Sequence, residues 1–102
     1  MPEQPVIYYA VTRERGKRWD ARRSMREQEQ WDAHARFMDA LAEEGFIVLG
    51  GPLDNGSYTL LIINAESRQA IEARFAGDPW TAMELLRIAK IERWEILLDA
   101  RQ

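Results

Sequence analysis

His34 is the residue of this chain best suited to move a proton near neutral pH. It is the only histidine among 102 residues, and there is no cysteine. Imidazole is the side chain whose unperturbed titration falls in this range. The lack of cysteine excludes thiol chemistry, and the clustered His and Cys spacing of metal centres is missing. We therefore expect acid–base chemistry at His34, without a metal or another cofactor.

The size and charge of the chain limit what else it can do. A length of 102 residues predicts a single domain over residues 1–102. The net charge is −3, so the basic surplus of a nucleic-acid-binding protein is missing. The polar start, residues 1–5, is unlike a signal peptide, and the apolar runs are too short to span a bilayer. The expected setting is the cytoplasm, with neither membrane nor nucleic acid as partner.

His34 falls in a segment with the pattern of a helix that follows a strand. Residues 6–12 are β-branched and aromatic and predict the first strand. The charged run 14–30 comes next, and its later part predicts the opening turns of a helix. Asp20 and Ser24 are both candidate N-caps, and Ser24 to Glu27 has the form of a capping box. The helix is expected to reach Glu44 and to end at Gly45.

The second half of the chain repeats this alternation. Residues 46–50 and 58–63 predict two strands, joined by a tight I′ hairpin turn at Asn55-Gly56 that its neighbours could widen. Ser67 is the expected N-cap of a second helix to residue 75 or 76. A short helical turn follows at about 80–84, and a strand at 93–98 ends the order. The order βαββαβ predicts an α+β, ferredoxin-like fold with a four-stranded antiparallel sheet.

The strands carry apolar residues on both faces. Two helices cover only one face of a four-stranded sheet, and a wet second face should alternate apolar and polar residues. Strands one to three do not alternate in this way. A homodimer that packs sheet against sheet through the open face is the expected cover. The alternative is that the charged run and the turn near residue 80 fold over that face.

Three motifs in this order resemble the YciI-like (YCII-related) proteins of the dimeric α+β barrel superfamily. The resemblance covers about residues 6–98. It rests on three short motifs, listed in chain order: His34 with Phe37, Leu41 and Gly45; Gly50-Gly51-Pro52-Leu53; and Gly77-Asp78-Pro79-Trp80.

This resemblance implies an active-site pair of His34 and Asp78 in a dimeric barrel. A carboxylate that accepts a hydrogen bond from one imidazole nitrogen fixes the tautomer and strengthens the other nitrogen as a base. One branch of the family is similar to a dehydrochlorinase of chlorinated hydroxyquinol degradation, and the superfamily includes muconolactone isomerase and aromatic monooxygenases. The run 14–30 is longer and more charged than the family pattern, so the substrate class does not carry over.

Other residues near these motifs are candidate substrate contacts. Gly51, beside Pro52, has a backbone that a ligand can approach closely. Trp31 and Trp80 are candidates for an apolar pocket wall, and Arg13 for binding an anion. Each has a structural alternative. The glycines and proline suit a turn, the tryptophans suit a core or interface, and Arg13 suits a solvated strand end.

Three functions are consistent with these residues and motifs. The leading hypothesis is a small-molecule enzyme that uses His34 and Asp78 for proton transfer in an elimination or isomerisation. The second is a non-catalytic dimeric module that binds a ligand or another protein. The third is a monooxygenase, cofactor-free or with haem bound by His34, as elsewhere in the superfamily. Asp78 also has a structural alternative, since aspartate before proline often caps the following turn.

Overall fold

A four-stranded antiparallel sheet with helices on one face forms the protein, seen in a computed structural model that describes residues 6–100. The strand order is β2-β3-β1-β4, which confirms the α+β, ferredoxin-like prediction. Residues 1–5, whose polar composition is unlike that of a signal peptide, lie outside the described residues. In chain order the elements are β1 (Val6–Arg15), a 3₁₀ turn (Met25–Glu27), α1 (Trp31–Glu43), β2 (Ile47–Leu53), β3 (Tyr58–Ile63), α2 (Arg68–Phe75), α3 (Pro79–Ala82) and β4 (Leu86–Ile96).

The hydrophobic core lies between the sheet and the two longer helices. Successive strand residues point to opposite faces, and Val11, Leu61 and Ile63 point toward the helices. They form one buried cluster with Leu41 of α1 and with Ile71 and Phe75 of α2. Both helices therefore cover the same face of the sheet.

The other face of the sheet has no cover within residues 6–100. Ala10 pairs with Ile62, and Ile62 pairs with Leu49 on the other side. Leu49 keeps 54% of its surface exposed and Trp94 of β4 keeps 43%. The charged run lies on the helix side, where Trp19 packs against Trp80. The alternative to a dimer, in which this run folds over the bare face, is therefore wrong for residues 6–100.

The helix that carries His34 starts later than predicted. Ser24 and Glu27 do form the predicted capping box, but the box caps only the 3₁₀ turn. Gln28 is extended and Gln30 has φ of 60°, so the backbone cannot continue as a helix until Trp31. The predicted end is confirmed, because α1 stops at Glu43 and Gly45 has φ of +83°.

Two further boundaries differ from the prediction. The β2–β3 hairpin has positive φ at Asp54 and Gly56, not at Asn55, so it is a wider turn than type I′. β4 begins at Leu86 rather than near residue 93, because it pairs with β1 along nearly its whole length. The predicted N-cap of α2 is confirmed, since the Ser67 hydroxyl accepts a hydrogen bond from the Ala70 N–H. No helix within residues 6–100 is long and apolar enough to cross a membrane.

Candidate active site

His34 and Asp78 lie in contact, although they are 44 positions apart in the chain. The His34 Nδ1 atom is 2.9 Å from Oδ1 and 3.0 Å from Oδ2 of Asp78. His34 comes from the first turn of α1, and Asp78 is the N-cap of α3. Asp78 Oδ1 also accepts a hydrogen bond from the Trp80 N–H at 2.9 Å. The carboxylate thus caps α3 and contacts the histidine at once.

Arg13 joins His34 and Asp78 in one buried group of linked polar side chains. Its NH1 donates to Asp78 Oδ2 at 2.8 Å, and its NH2 donates to the Thr81 hydroxyl at 3.0 Å. The guanidinium lies over the ring of Phe75, and the side chain is 1% exposed. Its Nε has no partner within the described residues. Arg13 is thus a buried ion-pair partner rather than a solvated strand end.

The electrostatics of this group keep Asp78 ionised. Burial alone would raise the pKa of Asp78, but hydrogen bonds from His34, Arg13 and the Trp80 N–H outweigh it and lower the pKa. Burial lowers the pKa of Arg13, and Asp78 opposes that shift. Since an arginine keeps its proton in proteins, Arg13 balances the carboxylate whether or not His34 is charged. With an ionised acceptor at Nδ1, that nitrogen is assigned the proton, which leaves Nε2 as the acceptor.

Trp80 fixes the plane of the histidine ring. The two rings stack with centroids 3.8 Å apart and planes 6° from parallel. Trp80 is fully buried, and its Nε1 donates to the carbonyl of Glu29 at 2.6 Å. Trp31 lies tilted against both rings, at 5.9 Å from His34 and 5.8 Å from Trp80. The ring therefore has little freedom to turn away from Asp78.

A cavity of about 670 Å³ opens beside His34. This size suits a small organic ligand. The side-chain hydrogen bonds of His34 within the described residues are those of Nδ1 with Asp78, which leaves Nε2 for a ligand in the cavity that His34 lines. All the residues predicted as substrate contacts line this cavity: Arg13, Trp31, Gly51, Pro52 and Trp80.

Several residues of the site were missed at the level of sequence. Trp19 contacts the edge of Trp80 with centroids 5.8 Å apart, and Thr81 binds Arg13. Trp19 is the only aromatic residue of the charged run. A lone aromatic side chain among charged ones was therefore a signal from which its role could have been predicted. Thr81 carries no comparable signal, since its role depends on a residue 68 positions away. Within residues 6–100, no three His, Cys, Asp or Glu side chains are grouped to hold a metal ion.

Comparison with known proteins identifies a family and similar solved structures. A family model described as the YCII-related domain matches residues 7–95. No curated protein matches the chain. One similar structure is 5-chloro-2-hydroxyhydroquinone dehydrochlorinase (TftG) from Burkholderia phenoliruptrix AC1100, in complex with 2,5-dihydroxybenzoquinone. It has a TM-score of 0.57 and 19% identity over 90% of this chain and 94% of that chain. Protein YJCS has a TM-score of 0.49 and 13% identity, over 89% and 98%.

Proposed function

The chain belongs to the YCII-related family, and we propose that it is a small-molecule enzyme in which His34 and Asp78 act as a general acid–base pair. One observation carries the proposal. Nδ1 of His34 lies 2.9 Å and 3.0 Å from the two oxygens of a buried carboxylate, beside a cavity of ligand size. A histidine held in this way has one tautomer and one free nitrogen, which is what a general base requires.

In the proposed mechanism, Nε2 of His34 takes a proton from a carbon or hydroxyl acid of the substrate. Asp78 holds Nδ1–H and stabilises the imidazolium that forms, while Arg13 balances the carboxylate. The imidazolium then returns the proton to a leaving group or to another substrate atom. The reaction is thus an elimination or an isomerisation. The dehydrochlorinase of similar fold favours elimination.

The cavity wall supplies substrate contacts in this proposal. Trp31 contributes apolar surface against which an unsaturated or cyclic substrate can pack, and the fully buried Trp80 supports the ring of His34 behind it. Gly51 and Pro52 contribute backbone without bulky side chains, and a Cβ at Gly51 would meet no atom within 4 Å. Arg13 is already engaged with Asp78 and Thr81. Arg13 therefore holds the His34–Asp78 pair in place and does not bind the substrate.

The acid–base proposal is tested with His34→Gln, which keeps a polar side chain of similar length. Small hydroxylated and halogenated cyclic compounds are incubated in D₂O, and NMR follows both deuterium uptake and product. We expect the variant to lose about 10²- to 10⁴-fold in rate, the usual size of a general-base contribution. Circular dichroism checks that it folds. A variant that exchanges protons as fast as the wild type would refute the acid–base role. Binding of a compound without exchange or product would favour the non-catalytic module.

We also propose that the active form is a homodimer through the open sheet face. Leu49, Leu53 and Trp94 are exposed there, and a contiguous apolar surface of this kind is typical of an interface. A second copy would cover the same residues in both chains, as a two-fold interface requires. The cytoplasmic location, the lack of a cofactor and the single-domain assignment of residues 1–102 stay predictions from the sequence.

A further inference from the structure

Two arginines other than Arg13 line the cavity of His34. Arg15 follows Arg13 by two positions on β1, so it points to the same face of the sheet. Its guanidinium carbon lies 4.9 Å from the ring centroid of Trp19. Arg26 belongs to the 3₁₀ turn, and its guanidinium carbon lies 5.6 Å from the ring centroid of Trp31. Both cations are thus held against aromatic rings at the cavity.

Neither of these arginines has an acidic partner within the described residues, in contrast to Arg13, Arg22 and Arg23. Arg13 is paired with Asp78, and Arg22 and Arg23 are both paired with Asp20. Neither Arg15 nor Arg26 forms an ion pair within residues 6–100. A guanidinium stacked on an indole keeps its N–H edge free for a carboxylate.

The cavity therefore carries an excess of positive charge next to apolar walls. Its charged lining consists of Arg13 and Asp39 besides the two free arginines, and Asp78 balances Arg13. The two free arginines outweigh the one remaining carboxylate, that of Asp39, so the cavity has a net positive charge. Trp19, Trp31 and Met38 line the same cavity and are part-exposed, so they supply its apolar surface. A ligand that satisfies both features has an anionic group on an unsaturated, apolar skeleton.

We propose that Arg15 and Arg26 recognise a carboxylate on the substrate, so that the enzyme selects aromatic or similarly unsaturated carboxylic acids. The carboxylate would bind the two guanidinium groups, and the ring would pack on the tryptophans toward Nε2 of His34. This inference rests on the function proposed for the His34–Asp78 site, since it names the substrate class of that site. Both arginines belong to the charged run 14–30.

Binding of benzoate and 2-naphthoate, each compared with its neutral carboxamide, tests this recognition without any need for turnover. Calorimetry gives the affinity, and the NMR signals of the single histidine report whether the ligand reaches the cavity. We expect at least one acid to bind more tightly than its amide and to shift the His34 signals. We also expect that affinity to fall as salt rises, because the ion pair is partly exposed.

The Arg15→Gln, Arg26→Gln double variant is expected to bind the acid at least tenfold more weakly, about the loss of one charge-assisted hydrogen bond. Its affinity for the amide should not change. Arg36→Gln is the matched control, since Arg36 is exposed on α1 and does not line the cavity. If the double variant does not fold, the Arg15→Lys, Arg26→Lys variant takes its place. It keeps both charges but not the planar fork, and a several-fold loss of acid affinity is then expected.

The proposal is overturned if neither acid binds better than its amide, or if the arginine variants bind within twofold of the wild type. His34→Gln separates this result from the acid–base proposal. We expect that variant to keep its affinity for the acids while it loses proton transfer. Full activity in His34→Gln would refute the acid–base role and leave the binding result intact. A wild-type protein that binds the acids no better than their amides would refute the recognition and leave the catalytic pair untouched.

Discussion

At the scale of single residues, Asp78 is the centre of the site. Its two oxygens accept hydrogen bonds from His34, Arg13 and the Trp80 N–H, and it has no exposed surface. The Asp78 carboxylate is therefore both the N-cap of α3 and the candidate catalytic contact of His34. A change at Asp78 must alter folding and chemistry together, so experiments at this residue need a stability readout besides activity.

We expect Asp78→Asn to lower the free energy of unfolding by about 3–5 kcal/mol at pH 7, because Arg13 would be left buried without its counter-charge. Urea denaturation measures this. Asp54→Asn is the matched control, since Asp54 is exposed and its positive φ also suits asparagine. Equal stability of the two variants would contradict the role assigned to the buried pair.

The pH dependence of stability follows from the lowered pKa of Asp78. A carboxyl whose pKa is lower in the folded state stabilises the fold above its unfolded pKa of about 3.9. That stabilisation is lost as the pH falls toward the lowered folded value. We expect the stability gap between the wild type and Asp78→Asn to be full at pH 6–7 and to narrow below about pH 4. A gap that stayed constant down to pH 3 would argue against this ionised carboxylate.

At the scale of elements, the charged run is an ordered wall of the cavity. Gln28 is buried, and its Nε2 donates to the carbonyls of Asp20 at 2.7 Å and Arg23 at 3.1 Å. The Trp80 indole then ties Glu29 to the site. These contacts place Trp19 and Arg26 beside the cavity, so order in this segment is a condition for ligand recognition.

We expect Gln28→Leu to loosen residues 20–28 while the sheet stays intact. The substitution removes the amide that donates to the carbonyls of Asp20, Arg23 and Ser24 and accepts from the Asp20 N–H, at a cost of about 1–3 kcal/mol. Amide hydrogen exchange in the segment should rise about tenfold or more, with little change in β1 and β3. Gln69→Leu, at an exposed position of α2, is the control. Unchanged exchange across residues 20–28 would show that Gln28 does not hold the segment.

At the scale of the whole molecule, the two faces of the sheet have different roles. One face carries the core and the candidate site, and the other carries exposed apolar residues such as Leu53 and Trp94. Burial of apolar surface yields about 25 cal/mol per Å². A domain of this size gains from such burial, because its own core is small.

We expect Leu49→Glu to convert the proposed homodimer into a monomer, because a carboxylate would be buried in an apolar interface. Light scattering after size-exclusion chromatography measures the mass. Gln69→Glu is the control, since it adds the same charge on the helix side at an exposed position. A wild type that is monomeric at high concentration, or a variant that stays dimeric, would contradict an interface through this face.

The sequence by itself determined the order of the elements and the two residues of the candidate pair. Strand pattern, the Ser67 cap, the glycine at position 45 and the Asp78-Pro79 step are local signals, and each depends on neighbours within a few positions. The single histidine was identified as a candidate acid–base residue from the chemistry of its side chain. Its pairing with Asp78 came from the family motifs, and the structure brings the two side chains into contact.

Only the tertiary structure decided which distant groups surround that pair. Arg13 reaches Asp78 across 65 positions, and Trp80 reaches Glu29 across 51. The start of α1 was misplaced for the same reason. A good local capping box at Ser24 was followed by backbone that is held extended near Gln28 by contacts made through its side chain. These contacts reach four to eight positions back along the chain, and the Trp80 indole binds the Glu29 carbonyl from 51 positions away. The start of α1 therefore depends on groups outside the capping box.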